Sequence, residues 1–499
     1  MFNLKIISGG KKEEFNPLSA AVTYVVDDKN LKNNLLKIEN KFGIKLSSLQ
    51  SKNITSKEGS EITFSKSDGT PDSILISKVK LDKKFSADYF RNHLAGVIQK
   101  LEKEYIENLY IFFPEFNLFS KYFDKEEYYY RTFVEGLFLG NYSFDKFKKD
   151  KKEPRDLNVS LFAKKERFLQ PAIEKSITLA SGINFTKDLQ NEPASSMRPF
   201  ELANSVKSVL TKAGIKVTVF DEKEAKKRKM GGLLAVGVGS TNKPRFIIAH
   251  YKPKASKKKI KKIALVGKGV TFDTGGYCVK PAQGMTEMKA DMSGAAVVAG
   301  TLLAVAKAKL PVEILGIIPA AENMISGDAM RPGDVVKTAS GKTIEVGHTD
   351  AEGRMILADA LDYASKQKPD EIIDFATLTG ACVVALGQNA AGLFTKYDKL
   401  AEILTDTGMK THERVWRLPM WDEYAKANES KIADVNNDGG RWAGATTAAK
   451  FLENFVDEKI SWAHIDIAGP AIAHDLNNYT KTYMTGFGVR LMFEYLMSK

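Results

Sequence analysis

Residues 262–319 constrain the fold more than any other stretch of the sequence. A short apolar run at 262–266 leads into a loop with four glycines between Val266 and Pro281. A helix of small residues follows over 293–308, and a second apolar run over 312–319. Short apolar runs bounded by turn residues read as buried strands. A helix with no polar face must itself be buried. The alternation continues on both sides, with a helix at 201–213, a strand at 215–220, a helix at 354–366 and a strand at 371–375. It predicts a largely parallel sheet with helices on both faces, whose ligands sit beyond the carboxyl ends of the strands.

A chain of 499 residues is too long for one ordinary core. Before Asn191 the pattern predicts strands at 4–7, 21–26, 61–64, 73–76 and 157–162, and helices at 31–42, 87–108 and 128–139. A helical stretch at 165–180 contains Pro171, which predicts a kink or a fresh helix start there. Two prolines then break regular structure between Asn191 and Pro199. The expected class is α/β with two domains, each a mixed or mostly parallel sheet flanked by helices and joined by a linking helix. The expected boundaries are 1–163 for the N-terminal α/β domain, 164–190 for the linking helix region and 191–499 for the catalytic domain.

The net charge is +13, which permits nonspecific contact with nucleic acid. The densest basic run, 252–262, lies between apolar segments 246–249 and 263–266 and reads as a solvated turn between two strands. No uninterrupted run reaches the ~20 apolar residues of a membrane span, and residues 1–10 carry no secretory signal pattern. Only two cysteines are present, Cys278 and Cys382. Each reads as a small buried hydrophobe, and a reducing cytoplasm is the simplest setting.

Three loops collect unusual residues. The glycine-rich loop carries Lys268, Asp273 and Lys280; the second places Asp291 just before the small-residue helix; the third, Gly347 to Arg354, carries Asp350 and Glu352 two positions apart. An extended backbone aims such a pair at one side. Four carboxylates gathered at strand ends repel one another unless cations neutralise them, which points to one or two divalent ions. Beside two such ions the pKa of Lys268 is expected to fall, letting its amine coordinate.

In these loops the sequence closely resembles the leucyl aminopeptidase family, the M17 cytosol aminopeptidases. The family signature Asn-Thr-Asp-Ala-Glu-Gly-Arg stands here as His-Thr-Asp-Ala-Glu-Gly-Arg from His348 to Arg354. Gly-Lys-Gly, Phe-Asp-Thr-Gly-Gly and Lys-Pro follow in order from Gly267 to Pro281. The segments at Asn191, Asp291, Thr377 and Asp466 also look like the family. The resemblance implies a metal-dependent leucyl aminopeptidase, releasing leucine and other apolar N-terminal residues from peptides by a two-metal-activated water. It implies one metal on Lys268, Asp273, Asp291 and Glu352, and a second on Asp273, Asp350 and Glu352. The ions would be manganese or zinc, with magnesium or cobalt as alternatives. It further implies that Lys280 stabilises the oxyanion and that Arg354 holds a bicarbonate general base with backbone help from Gly353 and Leu378. Met288, Thr377 and Gly380 would line the pocket for the N-terminal side chain. A homohexamer is implied too, and some family members also bind DNA.

His348 replaces the family asparagine beside the leaving-group pocket and is expected to alter substrate preference. No His-Glu-x-x-His occurs, which removes thermolysin-like zinc proteases. Val336 before Gly341-Lys-Thr removes a phosphate loop, and Phe272 after Gly-Lys-Gly removes a dinucleotide fingerprint. Asp359 and Asp362 on the following helix are expected to face solvent.

Overall fold

A computed structural model describes all residues except 10–14, 57–59, 67–68, 70, 152, 254–259, 474–478 and 481–482. The chain folds as two compact units: Met1–Ile177 with Leu476–Thr482, and Thr178–Asp475 with Tyr483–Lys499.

The first unit holds β1 (Phe2–Ser8), β2 (Ser19–Val26), β3 (Glu61–Ser65), β4 (Ser73–Val79), β5 (Asn108–Phe112) and β6 (Arg155–Phe162). Among the described residues these form one sheet in the order β1-β6-β5-β2-β4-β3, parallel except where β3 meets β4. Helices α1 (Leu31–Phe42) and α2 (Ser48–Thr55) contribute to one apolar core. Helices α3 (Asp88–Leu101) and α4 (Glu126–Asn141) contribute to the other. Central β2 is buried along its whole length, which explains why its sequence is mostly apolar. The helix expected over 87–108 ends at Leu101, and β5 follows. Glu102, Lys103 and Glu104 are strong helix formers, so the periodic pattern ran past the true end. Helix α5 (Leu169–Asn191) starts afresh two residues before Pro171; the ring sits in the first turn, where no hydrogen bond is lost. The division between the units falls inside this helix.

After the later part of α5, the second unit holds α6 (Pro199–Lys212), β7 (Lys216–Phe220), α7 (Glu222–Lys227), α8 (Gly231–Gly237), β8 (Arg245–Tyr251), β9 (Lys262–Gly267) and β10 (Gly269–Asp273). It continues through α9 (Ser293–Ala308), β11 (Glu313–Asn323), β12 (Val335–Lys337), β13 (Thr343–Glu345), α10 (Glu352–Lys366), β14 (Glu371–Ala376), α11 (Gly380–Leu386) and β15 (Ala391–Phe394). It ends with α12 (Asp398–Thr411), β16 (Val415–Arg417), β17 (Val435–Asn436), α13 (Gly444–Glu453), β18 (Ser461–Asp466) and α14 (Val489–Met497). The main sheet runs β16-β15-β18-β14-β9-β11-β8-β7, with β10 paired to the far end of β11. Strands β18, β14, β9, β11 and β10 are mutually parallel, whereas β8, β7 and β15 join antiparallel. The sheet is therefore mixed, with a parallel centre.

Helices α9 and α10 both pack on the strands at the centre of this sheet. The run Met285–Ala308 is long and apolar enough to cross a membrane by length and composition, but its most apolar 18-residue window is 89% buried inside the protein; it contains α9, the core helix the small residues predicted. Asp359 is a correction: it is fully buried on α10 and accepts backbone N–H groups from Leu233 at 2.9 Å and Ala339 at 2.8 Å. Burial pushes its carboxyl up to about 7. Asp362 pairs with Lys366 at 2.6 Å. The basic run at 252–262 lies largely outside the described residues; β8 ends before it, β9 starts at its last lysine, and both strands pair with β11.

Candidate active site

The residues singled out in the three loops converge at the carboxyl ends of the parallel strands. Lys268 sits at the joint where β9 gives way to β10, and Asp273 ends β10. Asp291 follows the short 3-10 turn Met285–Ala290, ahead of α9. Glu352 opens α10, and Thr377 follows β14. All lie in the second unit and line one cavity of about 490 Å³. Lys280, Met288, His348, Asp350, Arg354, Leu378 and Gly380 line it too. Of the residues named from the sequence, Gly353 alone is not on its wall.

The charges interlock. The Lys268 ammonium forms ion pairs with Asp291 Oδ1 at 2.8 Å and Glu352 Oε1 at 2.9 Å and donates to the Thr377 carbonyl at 2.9 Å. Burial pulls its pKa down, but Asp291, Glu352 and Asp273 outweigh that and hold it above the ordinary lysine value. The expected fall is therefore not seen with the carboxylates as its partners. Lys280 bridges Asp273 Oδ2 at 2.8 Å and Asp350 Oδ1 at 2.5 Å, and the same neighbours raise it against the pull of burial.

Two ammonium groups face four carboxylates, so half of the negative charge has no partner here. The strain shows in the acids. Burial and then Glu352 push Asp273 up to about 7, against the opposing pull of Lys280 and Lys268. Asp291 and Asp350 are raised, with burial the largest cause. Glu352 is lowered because the two lysines outweigh its burial. Asp291 Oδ2 and Glu352 Oε2 are buried with no hydrogen-bond partner. One oxygen each from Asp273, Asp350 and Glu352 falls within a 4.8 Å cluster. Oxygen donors of this kind suit magnesium, manganese or zinc, so the residues present fit divalent cations.

Backbone chemistry makes the crowding possible. A Cβ on Gly353 would sit 2.6 Å from Lys268 Cε, so only glycine lets that side chain pass over the start of α10. Gly275 has φ +86°, and a Cβ there would meet Asp350 Oδ1 at 2.9 Å. Asn323, at the end of β11, donates to Asp273 Oδ1 at 2.8 Å and to the Thr349 carbonyl at 3.1 Å. Thr377 Oγ1 donates to Asp291 Oδ1 at 2.7 Å. Asn437 clamps the third loop, accepting from Gly347 N at 2.8 Å and His348 N at 3.1 Å and donating to the His348 carbonyl at 2.9 Å. The Nδ1 of His348 accepts from Asp350 N at 3.2 Å.

Arg354 donates to the Asn437 carbonyl, and its Nε is buried without a partner. The Leu378 N–H already donates to Asp466 Oδ1 at 3.1 Å, so an anion beside Arg354 competes with that carboxylate for it. Asp466 also takes Thr379 Oγ1 at 2.7 Å and Ala468 N at 3.1 Å. One strand over, Asp374 pairs with His464 Nδ1 at 2.6 Å and accepts from Trp462 Nε1 at 2.7 Å. Sequence reading missed Asn323, Asn437, Asp374 and His464 as supports; an acid opposite a histidine on neighbouring buried strands is their one legible signal. Cys382 is buried as expected, whereas Cys278 is only half-buried; both are free.

Comparison with known proteins agrees with this geometry. Residues 184–493 match the cytosol aminopeptidase family, catalytic domain, and residues 22–151 match its N-terminal domain. A probable cytosol aminopeptidase of Chlorobaculum tepidum is 50% identical over 375 residues, 73% of this chain and 74% of that protein. One from Aquifex aeolicus is 43% identical over 450 residues, 89% of this chain and 88% of that protein. Among solved structures, a mutant of tomato leucine aminopeptidase matches with a TM-score of 0.87 at 31% identity, covering 100% of this chain and 97% of that one. The bottromycin maturation enzyme BotP in complex with Mn matches at 0.82 and 30%, covering 96% and 98%. With both of its domains matched and its loops folded into one acid-lined cavity, the chain belongs to the cytosol aminopeptidase family.

Proposed function

We propose that this aminopeptidase is metal-dependent and carries two divalent cations per subunit, manganese or zinc, releasing leucine and other apolar N-terminal residues from peptides. The observation that carries this reading is the excess of carboxylates over ammonium groups in one cavity, with buried oxygens of Asp291 and Glu352 left unpartnered. Asp273, Asp291, Asp350, Glu352 and Lys268 would hold the ions; Lys268 must first lose a proton to serve as a ligand. When bound, divalent cations supply Lewis acidity, lowering the pKa of a water and polarising a carbonyl.

The chain's own residues do the rest. Lys280, at 22% side-chain exposure the more accessible ammonium, turns to the substrate carbonyl oxygen and offsets charge growing there. Arg354, with its unpartnered Nε, would hold a bicarbonate as proton acceptor, with Gly353 and Leu378 contributing backbone N–H groups. Met288, Thr377 and Gly380 border the N-terminal side chain, and His348 borders the leaving group. Hydrolysis of leucine p-nitroanilide after loading with manganese or zinc, its loss on chelation, and two bound ions per chain test the reading; inactivity across several metals and N-terminal residues overturns it. We further propose a homohexamer working in the cytoplasm, for which a sizing measurement near the monomer mass of 55.2 kDa is the contrary result.

A further inference from the structure

Four cationic side chains line the cavity: Lys268, Lys280, Arg354 and Arg441. Three are engaged, the lysines with carboxylates and Arg354 with the Asn437 carbonyl. Arg441 is different. Among the described residues it makes no ion pair or hydrogen bond, and its guanidinium lies 5.5 Å from the ring centre of its exposed neighbour Trp442.

Its loop is nonetheless built. Asn437, at one end, is the residue that clamps the His348 loop and takes the Arg354 guanidinium. Asp438 N donates to Asn436 Oδ1 at 2.8 Å, and Gly440 N donates to Asp438 Oδ1 at 2.9 Å. At the other end Ala443 takes a left-handed φ of 53° and α13 begins. The loop that carries Arg441 is thus tied to the same frame as the reacting groups.

An unpaired guanidinium in a cavity wall matches a carboxylate in a two-pronged fit. The reading given above puts a peptide here with its N-terminus at the acids. The carboxylate such a ligand brings is its own C-terminus. A cavity of about 490 Å³ is the size of a small-molecule site, so only a short peptide can place both of its ends inside it. We propose that Arg441 binds the free C-terminal carboxylate of di- and tripeptides, making short peptides with an uncapped C-terminus the preferred substrate class. This rests on the aminopeptidase reading, and the experiment separates the two.

Steady-state kcat/KM is measured for Leu-Gly, Leu-Gly-Gly and Leu-Gly-amide with metal-loaded wild type, Arg441→Gln, Arg441→Lys and Arg441→Glu. Arg441 is exposed, so these variants keep the fold. The wild-type ratio of free acid to amide is expected to be about ten or more, as for one hydrogen-bonded charge. It should fall towards one in Arg441→Gln, recover in part in Arg441→Lys and drop below one in Arg441→Glu, mainly through KM. A ratio unchanged across the four proteins overturns the proposal while leaving the aminopeptidase reading intact. Failure of the wild type to cleave any of the peptides or leucine p-nitroanilide overturns both.

Discussion

Stripped of metal, this protein should lose stability as the pH rises from 5 to 8, and Asp273 supplies a measurable part of that loss. Its carboxyl is 1% exposed and accepts from Gly275 N and Asn323 Nδ2, both at 2.8 Å. Burial and the Glu352 charge still lift it from 3.8 to about 7. A carboxyl raised in the folded state binds a proton that the unfolded chain releases. Its stabilising contribution is complete below the unfolded value and is lost as the pH climbs through the folded one. A shift of about three units at about 1.4 kcal/mol each sets a ceiling of about 4 kcal/mol. Asp291 and Asp350 are raised as well and act in the same direction. Glu352 is lowered and opposes them only in the acid range, where its contribution fades. The assay is thermal unfolding of chelator-treated wild type and Asp273→Asn at one scan rate between pH 5 and 8. Asparagine keeps the shape and removes both the titration and the repulsion from Glu352. The wild-type Tm should fall relative to the variant by several degrees across the window, and saturating manganese should flatten the wild-type curve by binding only the folded, deprotonated site. Parallel curves for the two proteins in chelator would refute the claim that crowding stores this energy.

Other substitutions probe separate parts of the site. Lys280→Met should lower kcat on leucine p-nitroanilide by roughly 10²–10³ with little change in KM; an unaltered kcat removes its role at the oxyanion. Gly353→Ala drives a methyl group within 2.6 Å of Lys268 Cε, an overpacking that should cost about 1–3 kcal/mol and reduce activity, read by Tm and turnover together. Asp374→Asn strips the charge from a fully buried pair with His464 at 2.6 Å and should cost roughly 3–5 kcal/mol, seen as a lower Tm at any metal concentration.

The catalytic half of the fold was legible because its strands are buried on both faces and its core helix is made of small residues. Periodicity failed where charge composition imitated a helix, as at Glu102 to Glu104, and where a buried carboxylate was read as a surface one, as at Asp359. Its neighbours in space, the N–H groups of Leu233 and Ala339, lie 126 and 20 residues away, which no local pattern encodes. The same distance rule governs the site. Lys268, Asp273, Asp291, Asp350 and Glu352 each stand in a conspicuous loop, so the sequence exposes them. Asn323 and Asn437, which hold those loops, sit in unremarkable surroundings and become visible only when strands bring them within 3 Å.

Lysines paired with the acids are an argument against a cation site at first sight, because a satisfied carboxylate has no need of a metal. The numbers point the other way. Each lysine is shared by two carboxylates, through Asp291 and Glu352 for Lys268 and through Asp273 and Asp350 for Lys280. Every acid therefore has a neighbour, yet the set remains two positive charges short, and two buried oxygens stay bare. A fold that needed only internal neutrality would replace two acids with amides and lose nothing by it, since a buried charge without compensation costs several kcal/mol. Further positive charge from outside would relieve that excess, as the proposed cation site requires, and on that reading the unequal burial of the lysines, 4% against 22% side-chain exposure, would divide their parts. Lys268 is held among the acids and the Thr377 carbonyl; the more exposed Lys280 is the one that, in the proposed mechanism, would exchange its carboxylates for a substrate oxygen.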